Sequence, residues 1–345
     1  MVEKIAVAGA FTGTHVGGSF RRAAEAIGLE VIAFNIADAE CGNSVLRSLS
    51  YRLHDRRSLG MTAFSADVVA GCAAGKPALL IVTGTAPVNA EAICRIRDMG
   101  VIAVNFSTDD PWNPVHRSKW HLEALKAYDA VFTTRCSNIG DLEALGCRNV
   151  HYLPFAYDDW LVARSETQAN GPSYDVLFVG GADRDRVRFM QEYIACGPAP
   201  VLVGGYWQRY RQFARYAIGQ MQPDEICSLT KAARVNICLV RRANRDGHVM
   251  RTFEAGAIGG CLAVEDTDEH REIFGEDGEC VRYFSTPEDL ARLVRMLLAD
   301  ENERTRLSVA VRTRIREGKN SYSDRLLTII SLAVPLDDRA HSTVS

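Results

Sequence analysis

The sequence predicts an α/β protein built from two doubly wound parallel sheets, and three observations carry that prediction. Short apolar runs of strand length recur through the whole chain, separated by stretches with helical periodicity. Several runs end in glycine-rich or polar loops that open directly into a helix, the β-loop-α-β pattern of such sheets. The alternation starts afresh after a polar stretch containing Gly and Pro at 164–173, so 345 residues are expected to form two domains.

In the first half, the apolar run 5–8 leads into the loop GAFTGTHVGGSF, then a helix to about 27 and a strand at 31–34. The loop glycines at 9, 13, 17 and 18 do not have the spacing of a dinucleotide fingerprint, and the GK[ST] of a P-loop is missing. They serve either a tight turn or a ligand contact. Residues 43–75 read as two helical pieces broken near Gly60, followed by a strand at 78–82, a helix at 88–99 and a strand at 101–104. The next loop, NFSTDDPW, sits at the carboxyl end of a strand, where such sheets bind ligands. Its adjacent Asp109 and Asp110, with Trp112, are suited to a hydroxylated acceptor. The alternative is a helix start near Pro111 capped by one of the two carboxylates. By themselves they do not make a metal site. A strand at 130–134, a helix at 138–145 and a strand at 150–153 followed by PFAYD complete this half.

The second half opens on a strand at 174–179 ending in Gly180-Gly181, then Asp183, Arg184, Asp185, Arg186 and a helix to about 195. A strand at 201–203 runs into GGYW, and a helix is expected before GQMQP. A helix at 224–233 and a strand at 235–240 precede DGHVMRTFEAGAIGGC, residues 246–261. A short strand at 262–264, an acidic stretch at 265–269 and a strand at 280–284 follow. Helices are expected at 287–298, with Ser285 or Thr286 as cap, at 301–316 and at 321–333. Residues 334–345 read as a disordered tail.

The stretch 246–261 concentrates the chemistry. A helix from about 249 to 258, closed by glycine, would put Arg251 and Glu254 on one face near its start. Unpaired backbone N–H groups and a neighbouring arginine suit that end to phosphate. The Glu254 carboxylate is better explained as an acceptor for sugar or ribose hydroxyls. Ala255, Gly256 and Ala257 would let the helix lie close to its sheet. The competing reading is an exposed helix pair that contributes little.

Composition narrows the function classes. With 47% hydrophobic and 24% charged residues and a net charge of -3, the chain is that of a globular protein without reason to bind nucleic acid. No apolar run has the length of a membrane span, and MVEKIAVAGA has the wrong flanks for a signal peptide. The ten cysteines are scattered without a CxxC, as expected of reduced residues in a cytoplasmic protein. A peripheral place at the inner membrane would use Arg47, Arg52, Arg56 and Arg57 as a headgroup patch. A solvated helix face is the simpler explanation of those arginines.

In order and spacing, DVLFVGGADRDR, VGGYW, ICSLTKAARVNICLV, RTFEAGAIGGCLAV and FSTPEDLARLVRMLLADENERTRLSVAVRTRIREGKNSYSDR resemble the C-terminal domain of CgeB-like (spore-maturation-protein-like) glycosyltransferases. These are related to the family-4-type retaining enzymes of the GT-B fold. The match covers about residues 174–330, and the first half resembles the family more loosely through its DD and AVFTTRCSNIGDLEALGCRNVHYLPFAYD. The resemblance implies two Rossmann-like domains facing a central cleft: 1–163 on the acceptor side, 174–320 for the donor nucleotide, and 321–333 as a helix crossing back to the first domain. It implies that Glu254 binds the ribose hydroxyls and that Arg251 and Arg186, with Arg184 as competitor, meet phosphate. Gly180 and Gly181 would approach the diphosphate, and the backbone around Met221 and Gln222 would meet the nucleobase. Asp246 falls where the family has a longer carboxylate facing the donor sugar. His248 lies among the donor residues without a role of its own. Asp109, Asp110, Gly13 and Thr14 fall on the acceptor side.

The expected activity is therefore transfer of a sugar from a nucleotide-diphosphate sugar to a glycan, lipid-linked or protein acceptor, with retention and without metal or cofactor. Two alternatives are a non-catalytic nucleotide-sugar or glycan binder on the same scaffold, and a nucleotide-sugar epimerase, which would convert its donor without an acceptor.

Overall fold

The computed structural model describes residues 2–39, 55–167 and 173–334. The chain divides into two units, Met1–Pro154 with Tyr322–Ser345, and Phe155–Ser321. Each is a six-stranded sheet in which every pairing is parallel.

The first sheet comprises β1 (Lys4–Gly9), β2 (Glu30–Asn35), β3 (Leu79–Thr83), β4 (Ile102–Ser107), β5 (Ala130–Thr133) and β6 (Val150–Tyr152), in the order β2-β1-β3-β4-β5-β6. Helices on both faces cover the central strands, so those strands are apolar along their length instead of alternating. Leu79–Val82 are fully buried, and Ala6, Val68, Leu80, Val82, Ile93 and Leu125 belong to one core. The chain returns to this unit with Tyr322–Ala333, which packs on Val16–Ala26, and the rings of Phe20 and Tyr322 meet edge to face at 5.2 Å.

The second sheet comprises β7 (Tyr174–Val179), β8 (Val201–Val203), β9 (Ala217–Gly219), β10 (Ala233–Cys238), β11 (Leu262–Glu265) and β12 (Arg282–Phe284), ordered β12-β11-β10-β7-β8-β9. Its core is built around Phe178, Trp207, Ile237, Ala263 and Leu290. The strand order reverses between β7 and β10 here and between β1 and β3 in the first unit. Such switch points open a crevice at the strand carboxyl ends.

The structure departs from the sequence expectations in several places. The helix expected between Trp207 and Gly219 is two 3-10 turns, Trp207–Arg209 and Arg211–Phe213, followed by the edge strand β9. Trp207 and Phe213 are drawn into the core, ring against ring at 5.1 Å, and a regular helix does not deliver both. No helix starts at Pro111; the segment is a turn, and the next helix is Lys119–Ala127. The acidic stretch 265–269 is divided: Glu265 ends β11, and Asp268 and Glu269 start a helix, Asp268–Phe274, capped by Thr267. The helix Asp159–Thr167 packs on Pro223–Ala232, burying Leu161 with Cys227 and Ile258, so the second unit begins at Phe155 and not beyond 163. Arg56 offers little to a headgroup, because its guanidinium donates to the carbonyls of Pro114, Val115 and Arg117. The first helical piece (43–54, with Arg47 and Arg52), the core of the linker (168–172) and the tail (335–345) lie outside the described residues. Among the described residues, no helix is long and apolar enough to cross a membrane. Cys72, Cys227, Cys238, Cys261 and Cys280 are buried thiols whose pKa values burial pushes up to about 11 or 12.

Candidate functional site

At the switch point of the second sheet, β7 ends in the Gly180-Gly181 loop. Four contacts hold it: the Gly180 N–H donates to Val203 O (2.8 Å), Trp207 Nε1 donates to Gly180 O (2.7 Å), Ala182 N–H donates to Gly205 O (3.0 Å), and Arg186 Nη1 reaches Gly181 O at 3.5 Å. The β8 turn comes so close that a Cβ on Gly204, whose φ is +130°, would lie 2.5 Å from Gly180 O. Only glycine fits there. Gly181 itself remains exposed.

The helix Arg184–Cys196 starts beyond this loop, with the Asp183 side chain accepting the amides of Asp185 and Arg186. Arg184 points to solvent, whereas Arg186 is only 6% exposed. Arg186 spans the switch point: Nη2 donates to Leu239 O, just past β10, at 2.6 Å. Its Nε lies 3.7 Å from Asp183 Oδ2, too far for a hydrogen bond, and has no hydrogen-bond partner. Burial lowers its pKa to about 10, so it stays charged near neutrality. Asp246, 8% exposed, is close enough to favour that charge.

The helix Met250–Ile258 begins just after Asp246, and no side chain caps its first turn through the N-cap residue Val249. Arg251 and Glu254 share a face as their spacing implies, but the pair is not an exposed one. Glu254 is 1% exposed, and Arg251 Nη1 lies 2.9 Å from Glu254 Oε2. The two atoms are close but poorly aligned, and neither has a hydrogen-bond partner. Burial raises the Glu254 pKa; Arg251 pulls it down, and the nearby Asp158 pushes it up further. A buried carboxylate and guanidinium with unmet hydrogen-bonding capacity at a helix N-terminus can receive hydroxyl and phosphate groups. The small residues behind them serve a neighbouring helix as well as the sheet: Gly256 faces Val311 and Ile315 of Glu301–Glu317, where a Cβ would already be tight at 3.0 Å.

The other expected donor residues are placed differently. Gln222 is exposed at the N-cap of Pro223–Ala232, and its amide already donates to Glu225 Oε2 at 2.7 Å. Met221 packs beside Leu177, Val203, Leu229 and Ala233. His248 is buried with both ring nitrogens engaged by protein, at 3.1 Å to the Phe155 amide and 2.6 Å to Glu269 Oε2. It therefore stands behind the site instead of lining it. Asp158, Glu265 and Glu269 carried no assignment from sequence. Glu265 accepts the Val240 amide (3.0 Å) and Arg242 Nη2 (2.9 Å), which fixes the loop after β10.

In the first unit, Asp109 and Asp110 separate. Asp110 is 2% exposed, and its Oδ1 accepts Trp112 N–H (3.0 Å) and Asn138 Nδ2 (2.9 Å), so it shapes the loop. The Asp109 side chain is 31% exposed, with His116 Nε2 at 3.9 Å. The buried Arg135 supports the loop through Thr134 Oγ1 and Thr108 O, both at 2.9 Å. Nearby His121 is held to a pKa of about 4 by burial, against the pull of Asp109. At the other switch loop, Gly13 takes φ +60° with open space around its Cβ position, and Thr14 is half-exposed. Gly17 instead serves packing, since a Cβ there would lie 2.8 Å from Ala10 O.

Comparison with known proteins bears on both units. Residues 185–331 match a protein family described as glycosyl transferase-like. Among solved structures, sucrose-phosphate synthase from Thermosynechococcus elongatus is similar with a TM-score of 0.65 at 14% identity, over 96% of this chain and 98% of that one. Anabaena HepE in complex with UDP-glucose gives a TM-score of 0.61 at 14% identity, over 95% and 99%. A putative UDP-N-acetylglucosamine 2-epimerase from Listeria monocytogenes gives 0.58 at 13%, over 96% of each chain. At such identities the likeness establishes the two-domain α/β fold. A search of curated proteins gave no match.

Proposed function

We propose that the protein is a glycosyltransferase that takes its sugar from a nucleotide-diphosphate donor, held by the second unit. One observation carries the reading: Glu254 is buried against the mostly covered Arg251 at the start of a helix whose N-cap residue, Val249, offers no side-chain cap, beside the switch point, with a polar atom of each lacking a hydrogen bond. In this reading Glu254 accepts the ribose hydroxyls. Arg251, Arg186 and the first-turn amides of Met250–Ile258 meet the diphosphate, with Gly181 leaving its backbone open to it.

Transfer breaks the bond between the anomeric carbon and the diphosphate oxygen and forms one to an acceptor hydroxyl oxygen. Negative charge accumulates on the leaving diphosphate, and fixed cations at that point lower the barrier. In the retaining, metal-independent form that we favour, the departing phosphate oxygen takes the acceptor's proton, so no separate base is required. Asp246 faces the donor sugar, and Asp109 binds the acceptor. The matched family over 185–331 supports transfer over epimerisation, and the UDP-glucose bound by HepE makes a uridine donor the first to test.

The test is thermal stabilisation by UDP-, GDP-, ADP- and dTDP-sugars with EDTA present, followed by assay of donor consumption with and without acceptors. A ligand that binds the folded state alone raises Tm. One nucleotide is expected to do so, and Glu254→Ala to abolish the shift. No shift with any nucleotide would overturn the reading, and donor conversion without an acceptor would replace transfer by epimerisation.

A further inference from the structure

The His248 ring is 1% exposed and makes none of the donor contacts described above. Its Nε2 accepts the Phe155 N–H at 3.1 Å, and Nδ1 lies 2.6 Å from Glu269 Oε2. A main-chain amide can only donate, so Nε2 presents its lone pair; the proton of the neutral ring is then on Nδ1 and is donated to Glu269. Phe155 and Phe253 pack edge-on against the ring at 5.7 and 5.5 Å.

Glu269 is itself fixed against the same loop. A Cβ on Gly247 would lie 2.4 Å from Glu269 Cδ, so the loop backbone and the carboxylate are in direct contact. Thr267 Oγ1 donates to Gly247 O. One step further, His270 links Glu265 O (2.7 Å) to Thr252 Oγ1 (3.0 Å), and that hydroxyl accepts the Val249 N–H at 3.3 Å. Segment 246–249 is thus clasped by 267–270 on one side and by Phe155 on the other. Asp246 stands at one end of the clasp and Arg251 just past the other. Phe155 leads to Asp158, the carboxylate that acts on Glu254.

We propose that His248 is a positioning residue for nucleotide recognition: held as the Nδ1–H tautomer between Glu269 and the Phe155 amide, it sets the place of the loop carrying Asp246 and Arg251. This rests on reading Glu254 and Arg251 as donor contacts. A loop shifted by an ångström misplaces the charged groups it delivers, and such errors cost far more than the lost hydrogen bond.

The test is calorimetric binding of UDP, GDP, ADP and dTDP to the native full-length protein and to His248→Ala, His248→Gln, Glu269→Ala and Glu254→Ala, each well below its own Tm. For the nucleotide that binds the native protein, His248→Ala and Glu269→Ala are expected to weaken binding on the order of tenfold or more. His248→Gln, whose amide oxygen can still take the Phe155 N–H, should recover most of the loss. Ring 15N shifts of the native protein should show Nε2 unprotonated, a readout that needs no folded variant. Native-like binding by a folded His248→Ala, or an Nε2–H ring, overturns the positioning role. If Glu254→Ala also binds like the native protein, the donor-site reading fails on its own account. If the native protein binds none of the four nucleotides, both fail.

Discussion

The two units share one plan and spend their polar groups in opposite ways. Each is a parallel six-stranded sheet with a switch point, and each gathers charged residues at its strand carboxyl ends. In the first unit neutral groups such as Asn105 Oδ1 and Trp120 Nε1 lack a hydrogen bond, but the buried charged side chains have partners. Asp110 takes up Trp112 and Asn138, Arg135 takes up Thr134 and Thr108, and Asp109 stands out as a partly exposed carboxylate. In the second unit Arg186 and Glu254 are buried and Arg251 is mostly covered, yet each keeps an atom without a hydrogen bond. Burying unmet polar groups costs stability, and the cost makes sense where a ligand later meets them. On the proposed function, the difference gives charge handling to the second unit and shape to the first.

Removing charge from the second unit should have the largest effect. Arg251→Ala is expected to lower kcat/KM for transfer about 10²–10³-fold, or ~3–4 kcal/mol, as loss of one strong contact to a developing charge does. Arg251→Lys should recover part of it, since the charge returns without the planar fork. A folded Arg251→Ala enzyme with native kinetics would leave the second unit without its assigned role. The first unit should respond in stability instead. Asp110→Ala strands the Trp112 amide and the Asn138 side chain, and denaturant melts are expected to show a loss of ~1–3 kcal/mol.

These contrasts show what could be read from the residues. Buried parallel strands are continuous apolar runs, so LLIVT or VNIC announces itself. Ala217–Gly219 does not: three residues at a sheet edge have no pattern, and their place is set by Trp207 and Phe213 packing behind them. The Arg251–Glu254 face follows from helical spacing, whereas its burial depends on Ile258 and Cys227 meeting Leu161 of a helix far away in sequence. The same limit hid Asp158 and Glu269, which reach the site only through the fold. Asp109 and Asp110 look equivalent in sequence; Asn138, on another element, separates them.

Gly247→Ala would drive a Cβ to 2.4 Å from Glu269 Cδ and should cost ~1–3 kcal/mol in a denaturant melt. Glu269→Ala in the same chain should cancel part of that cost by making room. A fully additive double variant would mean that the loop is not in contact with Glu269. In the first unit, Asp109→Asn is expected to reduce kcat/KM for the acceptor by about tenfold, ~1.4 kcal/mol, while nucleotide affinity stays unchanged. A change in nucleotide affinity instead would erase the division between the units.

The smallest effect tests the cost of the unmet carboxylate directly. Burial raises the Glu254 pKa above its ordinary 4.5 despite Arg251. An acid whose pKa is raised by folding contributes its stability below the unfolded value and loses it as pH rises through the folded value. At neutral pH the native chain therefore bears a cost that Glu254→Gln escapes. Without ligand, the Gln variant is expected to melt at the same or a higher temperature than the native protein, with the gap closing as pH falls below 4.5. Saturating nucleotide should reverse the order, because only the native protein gains binding energy there. A Gln variant that is less stable at neutral pH in the absence of nucleotide would mean that the carboxylate serves the fold. The second unit's charges would then be as self-satisfied as those of the first, and the contrast between the two would disappear.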